Sequence, residues 1–148
     1  MEIELVYGKE LFNIPKNIYI IGLMNTADRS LAMLDYALRR RFAFVQYEPA
    51  FDHQGFLDYV ANSGNSKFQK LIKEVKNLNN DIEEDATLGK DYLIGHSYFI
   101  TSEEVTDDWL RRVIHYELYP LLKEYWFDDA EKATSWRDQL LGALHDTN

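Results

Sequence analysis

The pattern of apolar and polar positions changes character near residue 50. Before it, apolar residues come in short runs. "IELVYGKELFNI" (3–14) alternates loosely around Gly8-Lys9, which predicts a β-hairpin turning at those two residues. "IYIIG" (18–22) is apolar on both faces and β-branched, the pattern of a strand buried inside a sheet, often a parallel one. The polar stretch "MNTADRS" follows it, at the strand edge where open α/β sheets hold ligands. Leu31, Leu34 and Leu38 recur at helical spacing and predict a short helix over 31–40. "RFAFVQYEP" alternates again, predicting a second strand closed by Pro49.

After Asp52 the spacing becomes helical. "DHQGFLDYVANSG" predicts a short helix ending at Gly64. "SKFQKLIKEVKNLNNDIEE" places Phe68, Leu71, Ile72, Val75 and Leu78 on one face, an amphipathic helix with Ser66 as the expected N-cap. "LGKDYLIGHSYFITSEE" is irregular and carries Gly89 and Gly95. Thr106 caps "DDWLRRVIHYELYPLLKEYW", which Pro120 is expected to kink or split. "DAEKATSWRDQLLG" is the last helix, stopped by Gly142. The expected organisation is α/β over residues 1–50 and all-helical over 51–148. The first part offers few strands to flank its apolar one, so an incomplete sheet is expected, with strand-mediated self-association as its consequence.

Composition narrows the chemistry. The 148 residues contain no cysteine, which excludes disulfides, thiolate nucleophiles and zinc–thiolate sites. A formal net charge of −9, lying mostly after Asp52, argues against broad binding to a nucleic-acid backbone. The amino-terminal residues lack the pattern of a signal peptide, and no run approaches the ~18 apolar residues of a membrane span. A cytoplasmic protein with no membrane contact is expected.

Against that negative background, Arg39, Arg40 and Arg41 form a local basic cluster at a predicted helix end. They complement the helix dipole there, or one of them stabilises charge on a phosphoryl group in transfer. Asp35, four residues before Arg39, is an ion-pair partner for it. Asn25, with Asp28 and Arg29, either orients a water and a terminal phosphate oxygen or forms local turn bonds. His53, His96, His115 and His145 have no mutual metal-ligand spacing, and His96 in "GHSY" reads as a loop histidine. The acidic cluster "NNDIEEDAT" lacks EF-hand spacing and reads as a solvated helix end. Trp109, Trp126 and Trp136 read as core. No G-x-x-x-x-G-K-[ST] phosphate loop is present, and no apolar run ends in Asp-Glu before Asn25.

"NIYIIGLMNTADRSLAMLDYALRRRFAFVQYEPAF" resembles the second half of the AAA+ GTPase domain of the McrB family, and "IGHSYF", "PLLKEYWFDD" and "W…LLG" extend the likeness from about Leu11 to Gly142. The resemblance implies a partial AAA+ core (sensor-1 strand, arginine-finger helix and following strand) joined to an all-helical AAA+ lid. It implies that Asn25 is sensor 1, that Asp28 and Arg29 support that site or the subunit contact, and that Arg40, with Arg41 beside it, reaches the next subunit's nucleotide. It places Gly95, His96 and Ser97 near the nucleotide base. Arg111 and Arg112 match a second sensor by location alone. The implied cofactor of the full-length protein is GTP, or ATP, with Mg. Because Walker A and B are lacking here, no nucleotide is expected on this chain alone, and no hydrolysis. The implied partners are neighbouring AAA+ subunits in a ring and a McrC-like endonuclease subunit, in restriction of DNA carrying modified cytosine such as methylcytosine. DNA would be met only through regions absent here. A truncated or split form of such a protein is the expectation. The rival readings are an interaction module that docks on a McrB-like ring or on McrC, and a fragment of a MoxR-like AAA+ ATPase.

Overall fold

The computed structural model describes residues 2–4, 11–24 and 39–145. The chain separates into two units, Met1–Met33 and Leu34–Asn148. In the first, β1 (Glu2–Glu4) pairs antiparallel with β2 (Leu11–Asn13), Glu2 opposite Asn13 and Glu4 opposite Leu11. This is the hairpin that the alternation predicts; its turn lies outside the described residues.

The two strands expected next are not formed. Residues 18–22 have no regular structure, with Tyr19 and Ile21 about nine-tenths exposed. Residues 42–47 likewise join no sheet and are exposed throughout. The physical reason is partnership. A strand apolar on both faces holds its shape only when neighbours satisfy both edges and layers cover both faces. Among the described residues the only sheet is the two-stranded β1–β2 pair. Of the helix expected over 31–40, Arg39 is helical and Arg40 lies in the turn that follows; the remainder lies outside the described residues.

From Phe51 onward the chain is helical. α1 (Gln54–Asn62) is capped by His53, whose side chain accepts from the Gly55 N–H, and the chain leaves the helix through Gly64 at φ 67°, a left-handed conformation suited to glycine. α2 (Ser66–Glu84) carries the stripe Phe68, Leu71, Ile72, Val75, Leu78 and Ile82, all buried, on one face. Its N-cap is Asn65, one residue before the expected Ser66. The Asn65 carbonyl oxygen accepts from the N–H groups of Lys67 and Phe68 at 3.0 and 3.2 Å. The same side chain donates to the Val105 carbonyl and to Asp107, so one amide ties the starts of two helices together. Serine is too short for that second task.

α3 (Asp107–Arg112), a π-helical segment (Val113–Leu118) and α4 (Tyr119–Tyr125) follow one another directly. Thr106 caps α3 as expected, accepting from the Trp109 N–H. Pro120 does not stop the helical run, but the α-helix is split ahead of it: α3 ends at Arg112 and α4 begins at Tyr119 with Pro120 in its first turn. It has no N–H for the Tyr116 carbonyl, and in an α-helix its ring would press on that carbonyl. The wider π turn absorbs the mismatch: the Tyr119 N–H donates to the Ile114 carbonyl, five residues back. Leu118 and Leu122 stay fully buried on either side of the proline.

α5 (Ala130–Gly142) is capped by Asp129 and packs on α2 through polar contacts as well as apolar ones. The Trp126 indole N–H donates to Asp85 at 2.9 Å, and the Trp136 indole N–H donates to Asp81 at 2.7 Å. Lys132 bridges both carboxylates at 3.2 and 3.3 Å and lies over the Trp126 ring, 4.4 Å from its centroid. The acidic end of α2 is therefore a bonded seam and not simply a solvated face. Burial draws the Lys132 ammonium down, but its hydrogen bonds to Asp81 and Asp85 outweigh that and raise it. The Trp126 indole, then the Thr87 amide and hydroxyl, hold the Asp85 carboxyl well below the usual carboxylate range.

That depression has a direction in pH. The unfolded chain takes up the Asp85 proton first, so the seam's stabilisation is present above the ordinary aspartate value and is lost as pH falls through it toward the folded value. Asp85→Asn should cost about 1–2 kcal/mol at pH 7, because a neutral oxygen accepts more weakly than a carboxylate. The gap to the parent should be narrower at about pH 3 and keep shrinking below it, as the unfolded chain is protonated ahead of the folded one. Urea midpoints of both proteins at the two pH values check this; an equal gap at both contradicts it.

Candidate functional site

The residues singled out in the sequence are distributed unevenly. Asn25, Asp28 and Arg29 lie outside the described residues. Arg39, Arg40 and Arg41 are all exposed, and Arg39 turns over the Phe44 ring at 6.0 Å from its centroid. That contact gives Arg39 an aromatic partner, while all three arginines stay exposed. An exposed guanidinium, always charged and planar, suits an anionic oxygen supplied by another molecule.

Gly95, His96 and Ser97 begin a 3₁₀ turn (His96–Phe99). Two contacts fix that turn. Asn79, the buried polar residue of α2, donates to the Ile94 carbonyl at 3.0 Å and accepts from the Ile94 N–H at 2.7 Å. It completes the hydrogen bonding of a backbone position that is wholly buried. On the other side, His96 Nδ1 accepts from the Ala50 N–H at 3.0 Å. The imidazole meets Phe51 and Phe56 edge-on, with ring centroids 6.2 and 5.6 Å away. An accepting Nδ1 leaves Nε2 as the protonated nitrogen of the neutral ring. The structure therefore joins His96 to Ala50, the residue that closes the arginine-bearing segment.

Asn79 was legible in principle. It sits four residues after Val75 and three before Ile82, inside the apolar stripe, where a polar residue signals a specific partner. The partner itself, in a loop with no periodicity, had no such signal. Of the residues considered as a second sensor, Arg111 pairs with Asp108 at 3.0 Å and Arg112 is exposed. Arg137 bonds Asp138 and lies over the Tyr119 ring at 4.8 Å. Among the described residues, no group of histidine and carboxylate side chains is arranged to hold a metal ion. None of their helices is long and apolar enough to cross a membrane.

Comparison with known proteins agrees with this architecture. Residues 70–134, which run from α2 into α5, match the family described as McrB, alpha-helical lid domain. Over 141 residues, 90% of this chain, the sequence is 47% identical to the type IV methyl-directed restriction enzyme EcoKMcrB subunit of Escherichia coli (strain K12). The chain spans 31% of that relative's length. The helical body is thus a McrB-type alpha-helical lid, and the chain corresponds to a portion of a McrB-type subunit.

Proposed function

We propose that this chain is the sensor-1, arginine-finger and lid portion of a McrB-like AAA+ GTPase, a motor for methyl-directed DNA restriction. The observation that carries the reading is the 47% identity across 90% of the chain, which takes in the "MNTADRS" and "ALRRRF" stretches as well as the lid. The functional division falls between a core portion, residues 1–50, and a lid, residues 51–148. Asn25 serves the nucleotide of its own subunit, with Asp28 and Arg29 supporting it. Arg40, assisted by Arg41, serves the nucleotide of the neighbour, so hydrolysis belongs to a ring. Gly95, His96 and Ser97 lie beside the base. The protein works by positioning groups and stabilising charge, with little covalent chemistry of its own. The partners are like subunits and a McrC-like endonuclease, in the cytoplasm.

The exposed guanidinium groups fit such a role toward a phosphate, with GTP and Mg, or ATP, as the cofactor. The chain shows no Gly-Lys phosphate loop to cradle one by itself. Calorimetric titration of this chain with GTP or ATP, each with magnesium, should give no binding heat. Micromolar binding of either would mean that the lid and arginines form a complete site, and the division of labour proposed here would be wrong.

One observation favours a second reading. The apolar residues Tyr19, Ile21 and Leu23 are each about nine-tenths exposed, a surface suited to joining another molecule's sheet. On that reading the chain docks on a McrB-like ring or its nuclease partner, or on a second copy of itself, and lends an arginine in trans. Concentration-dependent sedimentation separates self-association from a monomer awaiting a different partner.

A further inference from the structure

We propose that His96 is a latch that fastens the arginine-bearing segment, residues 39–50, to the helical body, so that Arg40 and Arg41 are carried with the lid. The consequence for hydrolysis rests on the McrB-type reading; the latch rests on geometry within one unit, Leu34–Asn148.

The latch has a fixed side. Asn79 clamps both backbone groups of Ile94, two residues before His96, onto the middle of α2. Phe51 and Phe56 hold the imidazole edge-on. The ring cannot turn to offer Nε2 in place of Nδ1 without disturbing both aromatic contacts.

It also has a carried side. The Ala50 N–H reaches His96 across 46 residues of sequence. After Ala50 the chain is anchored repeatedly: the Ala50 carbonyl accepts from the His53 N–H at 3.1 Å, Phe51 is buried, and Asp52 pairs with Lys76 at 2.7 Å. Before Pro49, residues 41–48 are all exposed. Lys90, ion-paired with Glu83 at 3.1 Å, lies close enough to Glu48 for their charges to attract. Among the described residues, the Ala50 amide is thus the outermost backbone group of the segment that a hydrogen bond ties to the body. Pro49 fixes its own φ and disfavours the helical region at Glu48, so the two residues next to the latch have little freedom. Motion of the lid is then transmitted toward the arginines instead of being absorbed at the junction near residue 50.

The chemistry of the latch supplies its test. Asparagine places an acceptor oxygen near the position of Nδ1, whereas glutamine places one near Nε2 and leucine offers none. The chain has no cysteine, so Arg41→Cys and Lys73→Cys, the second on the exposed face of α2, can carry a pair of spin labels. With His96 in place the label-to-label distance distribution should be narrow. His96→Leu and His96→Gln should broaden it and speed exchange of the Ala50 amide by about tenfold, the loss of one hydrogen bond. His96→Asn should keep both near the parent values. Exchange in α2 reports that the body stays folded, and the asparagine–glutamine comparison stands even if the leucine variant does not fold. A broad distribution in the parent, or glutamine rescuing as well as asparagine, would overturn the latch. No nucleotide enters these readouts, so their failure leaves the McrB-type reading standing on its own test.

Discussion

Arg40→Ala is expected to lower nucleotide hydrolysis by an assembled McrB-type ring by about 10³–10⁵-fold, the usual worth of an arginine finger, while nucleotide binding stays within a few-fold of the parent. The structure narrows the choice among three adjacent arginines. Successive side chains at a helix end point in different directions, so one site can use one or two of them. All three are exposed, and Arg39 lies over the Phe44 ring. Arg41→Ala should therefore cost less than Arg40→Ala, and Arg39→Ala least. Arg40→Lys should recover little, because an ammonium keeps the charge but loses the planar fork. Complementation tests the assignment to the neighbour's nucleotide. On the proposed scheme, Asn25→Ala disables a subunit's own site and Arg40→Ala disables the site next door. Mixed rings of the two variants should regain part of the activity that each lacks alone, at interfaces where an intact Asn25 meets an intact Arg40. Loss of binding with retained per-site turnover, or no rescue on mixing, would remove Arg40 from this role.

What was legible in the sequence was local. The stripe from Phe68 to Ile82 fixes α2 because burial of one helical face depends only on spacing within the segment. The hairpin follows from short-range alternation in the same way. Residues 18–22 fail as a strand for the opposite reason. Their pattern records a preference for burial on two faces, but pairing needs partners that the pattern does not supply. Pro120 signalled an interruption, but not its form: the π turn ending at Leu118 changes the register before the proline arrives. Asp81 and Asp85, four apart, share a face of α2, yet what that face meets lies 41 to 55 residues further on. The contact between His96 and Ala50, 46 residues apart, left no periodic trace at all. The candidate arginines were legible through a motif and Asn79 through its place in the apolar stripe, but the backbone partners that the lid turn finds, at Ile94 and Ala50, were not.

Asn79→Ala should cost the helical body about 3–4 kcal/mol, as much as truncating a large core side chain. The argument is one of satisfied groups. Ile94 is wholly buried, and the Asn79 side chain takes both its N–H, at 2.7 Å, and its carbonyl, at 3.0 Å. Alanine leaves a donor and an acceptor buried without partners, each costing about 1–3 kcal/mol, and opens a small void beside them. Leucine fills the void but satisfies neither group, so Asn79→Leu should lose nearly as much. Asn79→Asp still accepts from the N–H, yet it faces the Ile94 carbonyl with a second acceptor and buries a charge; it should fall below the parent at pH 7 and recover partly in acid, where a protonated carboxyl can donate. Against a total of about 5–15 kcal/mol for a domain, such losses show plainly in guanidinium midpoints. The damage should also be local in origin. Amide exchange should rise first at Ile94 to Ser97 and at Ala50, the turn and the segment it holds, before α2 itself loosens. A cost below about 1 kcal/mol for the alanine variant would mean that water or a shifted loop satisfies Ile94 without Asn79, and that the turn presenting His96 is held by its aromatic contacts alone.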